Sequence, residues 1–324
     1  MTLRAAALAL LACAGLLSAA AVAKDPVRAK AEALPLPDRA APARGPDPRL
    51  LSGLDALAPQ RPGHPDLYVL GVAGDGSEQV FLNEVRHLQA LAAQRLDARG
   101  RVLVLANHAD QPGQPPLPVA SVTNLQRALA GIGERMDVDE DLLLVYFTTH
   151  GTDDHRLLLR RSRRSDVLLE PRQIRAALDA AGIRHRVIVI SACFSGGFAP
   201  ALRDPDTLLL MAARRDRPSF GCGNDSVATY FGRAWLVDGL NRELDFVRAF
   251  HSARRDIRRR ERDDDLPWSW PQIDQGRRIG RQLAAWREAM TPGPALPYPF
   301  AEPDDDDAAG LTPLRPAAGR SVPR

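Results

Sequence analysis

The chain is poor in cysteine: three residues in 324, of which Cys13 lies inside an N-terminal apolar run. Only Cys193 and Cys222 lie beyond that run, which excludes the disulfide framework of a small secreted scaffold and leaves a single bridge between them open. An excess of one charge is lacking too. Lysine and arginine total 43 against 40 acidic residues, a net charge of +3 that predicts no strongly basic partner surface. Arginines do cluster, at Arg160, Arg161, Arg163 and Arg164 and again at Arg254, Arg255, Arg258, Arg259, Arg260 and Arg262. The second group runs into Asp263, Asp264 and Asp265, which partly neutralise it. A solvated loop and a solvated helix account for both, and no nucleic-acid partner is expected. After residue 17 no run approaches the roughly 20 apolar residues of a bilayer crossing. What is present, 45% hydrophobic and 26% charged residues, is the composition of a globular protein with a real core.

The start of the chain reads as an export signal, with Arg4, an unbroken apolar run over residues 5–17, and Ala21-Val22-Ala23 as the cleavage site. Residues 1–23 are then a signal peptide and the mature protein begins near Lys24, outside the cytoplasm and, in a bacterium, in the periplasm. Leu10-Leu11-Ala12-Cys13 also resembles a lipoprotein signal, and only a lipidated Cys13 would bring a membrane into play. An uncleaved anchor helix is a further reading, although the run is short for one. Residues 24–64 are rich in Pro, Ala and Arg without sustained periodicity and read as a linker, with an inhibitory propeptide left open. Residues 291–324 fill again with Pro and carry Asp304, Asp305, Asp306 and Asp307, as a disordered tail would. Between them, residues 65–290 form one domain, near the size of about 200 residues at which single cores are common.

That middle region alternates short apolar runs with helical spacing. Residues 67–72, 101–106, 141–149, 186–191 and 207–212 have the length and β-branched content of buried strands. Val80, Phe81, Val85, Leu88, Leu91 and Ala92 recur as on a helix; Thr123 with Gln126 reads as a capping box opening a helix that ends near Gly131. Residues 171–181, with Pro at the first position, predict another helix, and residues 230–240 and 244–262 the last ones. Strand and helix in alternation predict a three-layer α/β/α sandwich with a mostly parallel central sheet. Active sites in such sheets gather beyond the carboxyl ends of the strands. His150-Gly151 and Cys193 fall there, on two different strands.

A cysteine attacks a carbonyl as thiolate, and a free thiol with pKa about 8.5 benefits from a nearby imidazole or electropositive backbone. His150 meets that need from the neighbouring strand end. Gly196 and Gly197 permit a tight turn after Cys193, so that the backbone amides of Gly151 and Cys193 can face a developing oxyanion. Asp75, in Ala73-Gly74-Asp75-Gly76, is either a turn residue or a third member that orients His150. His150, Asp153, Asp154 and His155 have the side chains of zinc ligands, but their spacing fits no helical ligand pair and no metal is expected. Ser195 follows the nucleophile position without the first glycine of a serine elbow and reads as a loop residue.

Val145-Tyr146-Phe147-Thr148-Thr149-His150-Gly151 and Val189-Ile190-Ser191-Ala192-Cys193-Phe194-Ser195-Gly196 closely resemble the two catalytic motifs of the legumain-like cysteine peptidases, the C13 peptidases of the caspase-like clan. Met211-Ala212-Ala213, Pro218-Ser219-Phe220-Gly221-Cys222 and Thr229-Tyr230-Phe231-Gly232 are similar to the segment that follows the nucleophile strand, and the likeness spans residues 67–240. The resemblance implies a caspase-like fold, His150 as catalytic histidine, Cys193 as nucleophile, Ser219 in the primary specificity pocket and Cys222 as a residue without catalytic duty. It implies no metal or organic cofactor, and a peptide or protein substrate. Two pocket positions depart from the asparaginyl members. Glu78-Gln79-Val80-Phe81-Leu82 stands where they carry an Arg-His pair, and Ser191 replaces an acidic substrate-binding residue, so a preference for Asn or Asp is not carried over. The expectation is an exported cysteine endopeptidase. Its alternatives are a transpeptidase using the same dyad and a catalytically silent binding module of the cell envelope; the oligomeric state stays open.

Overall fold

The computed structural model describes residues 46–300 apart from 112, 162–165, 224–225 and 298–299. The expected signal peptide, Cys13, most of the expected linker, residues 301–324 of the expected tail, and Arg163 and Arg164 lie outside the described residues.

The strands form where the chain is continuously apolar. β1 (Leu67–Ala73), β3 (Leu142–Thr148), β6 (Arg186–Ser191) and β7 (Thr207–Met211) are buried along their whole length, and β2 (Val102–Ala106) nearly so. Strands covered on both faces need no polar alternation. The sheet runs in the order β2-β1-β3-β6-β7-β8, parallel throughout except for β8 (Gln272–Gln275), which pairs antiparallel with β7. This is the mostly parallel sheet expected from the sequence.

Alternate side chains sort to opposite layers. Tyr68, Leu70, Val145, Phe147, Ile188 and Ile190 pack with α1 (Pro48–Asp55), α3 (Val122–Gly133), α4 (Pro171–Ala180) and α5 (Ala199–Leu202). Leu67, Val69, Leu144, Tyr146, Val187 and Val189 pack with α2 (Gln79–Gln94), a π-helical stretch at Gly232–Gly239, α6 (Leu240–Arg242), α7 (Phe246–Asp263) and α8 (Ile279–Ala289). Each fully buried Leu, Ile or Val in these layers contributes roughly 1.5–3 kcal/mol relative to exposure. The order in which strands are added reverses between β1 and β3, so the crevice at their carboxyl ends is the topological switch point of the sheet.

Five local features differ from the sequence reading, the first being α8, a helix beyond the last one expected at residues 244–262. Ser121 rather than Thr123 caps α3, its hydroxyl accepting from the Asn124 amide at 3.1 Å. The polar excursion after Gly151 contains an antiparallel hairpin, β4 (Leu157–Arg160) with β5 (Asp166–Leu169). β8 is an edge strand of sequence Gln-Ile-Asp-Gln, half-exposed and therefore without a hydrophobic signal. Finally, the folded body extends past both expected boundaries. α1 starts at Pro48, capped by Asp47, and buries Leu50 and Leu54 against the β1–β3 layer, with Leu57 beside them. At the other end Gly293 donates to the Arg95 carbonyl, and Leu296 exchanges two hydrogen bonds with Asn241. Leu50, Leu54 and Leu57 stand at helical spacing, but within a Pro-rich stretch whose composition hides that they belong to the core.

Leu50→Ala should lower unfolding free energy by about 2–5 kcal/mol in a urea titration, as for a fully buried leucine. A change near zero would place residues 48–57 outside the cooperative unit.

Candidate active site

β3 and β6 are paired in register, with Thr148 opposite Ser191. Two residues further along each strand's chain stand His150 and Cys193, just past the paired strand ends. The approach is close: a Cβ on Gly151 would lie 2.0 Å from the Cys193 carbonyl oxygen, so only glycine fits. Gly151 also forms an antiparallel bridge with Leu157, flanked by the bonds from Leu158 N–H to the His150 carbonyl and from Thr152 N–H to the Arg156 carbonyl. In such a pair the bridged residue turns its own N–H away from the partner strand, here toward the side on which Cys193 lies.

His150 is held by the first turn of α2. Glu78, at the N-cap position, accepts from Nε2 at 2.9 Å, and the Phe81 ring packs edge-on against the imidazole at 5.3 Å between centroids. A carboxylate can only accept, so Nε2 carries the proton and Nδ1 is the nitrogen left to exchange one. Asp75 stands behind, buried, its nearer oxygen 3.8 Å from Nε2. Its hydrogen bonds go to Ser77, through the amide at 2.8 Å and the hydroxyl at 2.6 Å, and to Arg160 at 3.3 Å. The direct partner of His150 is thus Glu78, with Asp75 contributing charge from the second position. Burial alone would push the imidazole down, but the hydrogen bond and charge of Glu78, with the charge of Asp75, hold it above the ordinary histidine value. Burial would likewise raise Glu78; its bonds to His150 and to the Gly223 amide hold it below the ordinary carboxylate range.

Cys193 sits on a strained turn. Phe194 adopts the left-handed region at φ 56°, a conformation that costs a non-glycine residue of order 1–3 kcal/mol and recurs at functional sites. The turn is fastened by Phe194 N–H to the Arg217 carbonyl and Gly196 N–H to the Ala213 carbonyl, both at 2.8 Å. Ser195 points inward, its hydroxyl accepting from the Ala213 amide at 3.0 Å, which is the role of a loop residue. The sulfur of Cys193 receives the Ser219 amide at 3.3 Å, with the Ser219 hydroxyl 3.7 Å away. Ser219, expected in a specificity pocket, therefore borders the thiol itself. Cys193 and Cys222 are both free. Burial and the neighbouring Cys193, Glu78 and Glu84 push the Cys222 thiol up, so it stays protonated.

Ser191 is not presented to a ligand. It is 2% exposed and shares its hydroxyl with Thr229 at 3.0 Å, because it ends a central strand beneath the loop that follows β7. Beside it lies a group the sequence reading passed over. Glu84, fully buried on the inner face of α2, accepts from Tyr146 at 2.8 Å, Thr148 at 2.6 Å and the Thr229 amide at 2.7 Å. Burial pushes its carboxyl above the ordinary range, against the pull of these donors. The signal for it was a glutamate on the apolar face between Phe81 and Leu88. Glu78 was visible as a departure from the Arg-His pair, without its role. Among the described residues no group of three or more His, Cys, Asp or Glu is placed to hold a metal, and Asp154 is instead paired with Arg156.

A thiol bordered by an amide, an imidazole polarised by two carboxylates, and a glycine amide turned to the same side can perform nucleophilic attack on a carbonyl with proton transfer. Residues 126–265 match the family model described as the Peptidase C13 family. The match contains His150, Gly151, Cys193 and Ser219, while Asp75, Glu78 and Glu84 precede it. Among 91 matching chains of solved structures is one described as "structure of pro-sf-caspase-1", 14% identical, covering 67% of this chain and 93% of that one, with a TM-score of 0.44. No curated protein matches the chain.

Glu78→Gln should lower the His150 pKa, read by NMR titration of the imidazole. Because the His150 value is raised, its stabilisation is complete below about pH 6.5 and fades as pH rises through the folded value. Because that of Glu78 is lowered, its stabilisation is complete above about pH 4.5 and fades as pH falls through the folded value. The stability gap between wild type and Glu78→Gln should therefore be widest between those two pH values. A gap independent of pH would break the pairing.

Proposed function

We propose that the protein is an exported cysteine endopeptidase in which Cys193 is the nucleophile and His150 the proton carrier. The observation that carries this reading is the placement of a carboxylate-bound imidazole and an amide-bordered thiol just past the ends of two paired strands, with the Gly151 backbone packed on the Cys193 carbonyl. Cys193, as thiolate, attacks the peptide carbonyl carbon, and the carbonyl π pair moves onto oxygen, where the amides of Gly151 and Cys193 receive it. The tetrahedral intermediate collapses, the C–N bond breaks, and His150 gives its proton to the leaving amine through Nδ1. Water, losing a proton to His150, then attacks the thioester and frees Cys193. Glu78 and Asp75 hold the imidazole in one tautomer and favour its charged form while it carries the proton. Export is supported by the N-terminal pattern of Arg4, apolar run and Ala21-Val22-Ala23.

An electrophilic peptide probe should label reduced wild-type protein and fail to label Cys193→Ala. His150→Ala should lower kcat/KM by about 10²–10⁴, the range of general acid–base catalysis. Wild-type protein that takes no label and cleaves nothing in a diverse peptide library would leave a catalytically silent binding module instead.

A further inference from the structure

A second constellation lies on α7. Most of the helix's charged arginines are spoken for: Arg248 pairs with Glu243, Arg259 with Asp256, Arg260 with Asp264 and Arg262 with Asp263. Arg254, Arg255 and Arg258 have no carboxylate partner among the described residues. With His251 they stand at i, i+3, i+4 and i+7, a single stripe about 10 Å long on the helix surface. The stripe borders a cavity of about 360 Å³ that Glu261, Trp268, Trp270 and Pro271 also line. Arg258 lies over the Trp268 ring at 4.2 Å, and the two indoles meet edge to face at 5.2 Å. This wall is built into the fold. Glu261, 1% exposed, accepts the Ser269 amide at 3.0 Å, and Trp270 takes a left-handed φ of 55°.

The cavity is at the same end of the sheet as Cys193. β8 begins with Gln272 opposite Met211, the last residue of β7, so the Trp268–Trp270 turn sits at the carboxyl end of the parallel strands. The Ser269 carbonyl accepts the Arg214 amide at 2.8 Å, and three residues later the Arg217 carbonyl holds the turn that carries Cys193. One continuous loop thus joins the two places.

We propose that this stripe and its tryptophan wall form a docking site for an acidic segment of a protein substrate, outside the bond that is cleaved. The inference rests on the peptidase reading. Three unneutralised guanidiniums call for carboxylates, and a stripe of about 10 Å matches three to four residues of extended peptide at about 3.3 Å each. The indoles offer an apolar wall to the backbone and Cβ atoms between the charges.

The test uses the full chain and two fluorogenic peptides with the same cleavable core, one carrying an appended Pro-Asp-Asp-Asp-Asp block. Anisotropy of a labelled Pro-Asp-Asp-Asp-Asp peptide reads binding separately from cleavage. The acidic peptide should be preferred in kcat/KM by about tenfold at low salt, and the preference should shrink at high salt. In Arg254→Glu/Arg258→Glu the ratio between the two peptides should fall to about one and anisotropy should show no binding. Trp268→Ala should weaken binding several-fold while far-UV circular dichroism stays unchanged. Cleavage of both peptides at equal rates with no anisotropy change overturns the docking site and leaves the peptidase reading standing. Binding of the acidic peptide with no cleavage of either sinks the peptidase reading and keeps acidic recognition. An oligonucleotide or inorganic polyphosphate that binds more tightly than the acidic peptide overturns the proposal in favour of a phosphate site. So does tighter peptide binding after Asp304, Asp305, Asp306 and Asp307 are changed to Asn, which would make the chain's own tail the resident.

Discussion

A buried carboxylate holds the working end of the sheet together. Glu84 receives Tyr146 and Thr148 from β3 and the Thr229 amide from the loop after β7, while Thr229 in turn takes up the hydroxyl of Ser191 at the end of β6. Every one of these donors lies two to four residues from His150 or Cys193, or on the loop that brings Ser219 to the thiol. A buried acceptor left without its donors costs about 1–3 kcal/mol per group, so displacing any one of the three segments is penalised by that much. Helix α2 therefore does more than cover the sheet. Its first turn grips the histidine and its second turn grips the strand that carries it.

The two carboxylates of α2 are differentiated by their surroundings. Glu78, half-buried beside an imidazole and a backbone amide, is held in its charged form. Glu84, enclosed by hydroxyls and an amide, is pushed toward neutrality by burial. Charge is thus kept where it acts on His150 and suppressed where it would burden the core, a division set by exposure over six residues of one helix.

The central strands, the order of strand and helix, and the positions of His150 and Cys193 were legible because continuous apolar runs and a strand-end motif are local signals. Glu84 was hidden because a glutamate on an apolar face carries no periodic mark of its own partners, which come from β3 and from residues far along the chain. Glu78 displaced Asp75 as the direct partner of the histidine because helix α2 begins close enough to reach it, a matter of three-dimensional entry angle. Ser191, read as facing a ligand, is instead sealed by Thr229. α1 and β8 escaped notice for opposite reasons: one is a short amphipathic turn in a Pro-rich stretch, the other a polar edge strand that borrows its order from β7. The arginines of α7 were legible as a cluster, but which are neutralised depends on acids contributed by other turns.

The matched family stretch begins at residue 126, beyond β1 and α2. Cys193, His150 and the loop with Ser219 are encoded inside it; the side chains that orient the imidazole and pin the strand ends are encoded before it. His150 and Cys193 thus lie in a different stretch of the chain from the helix whose carboxylates hold the imidazole and the end of β3, and residues 126–265 alone would keep the two residues without those carboxylates.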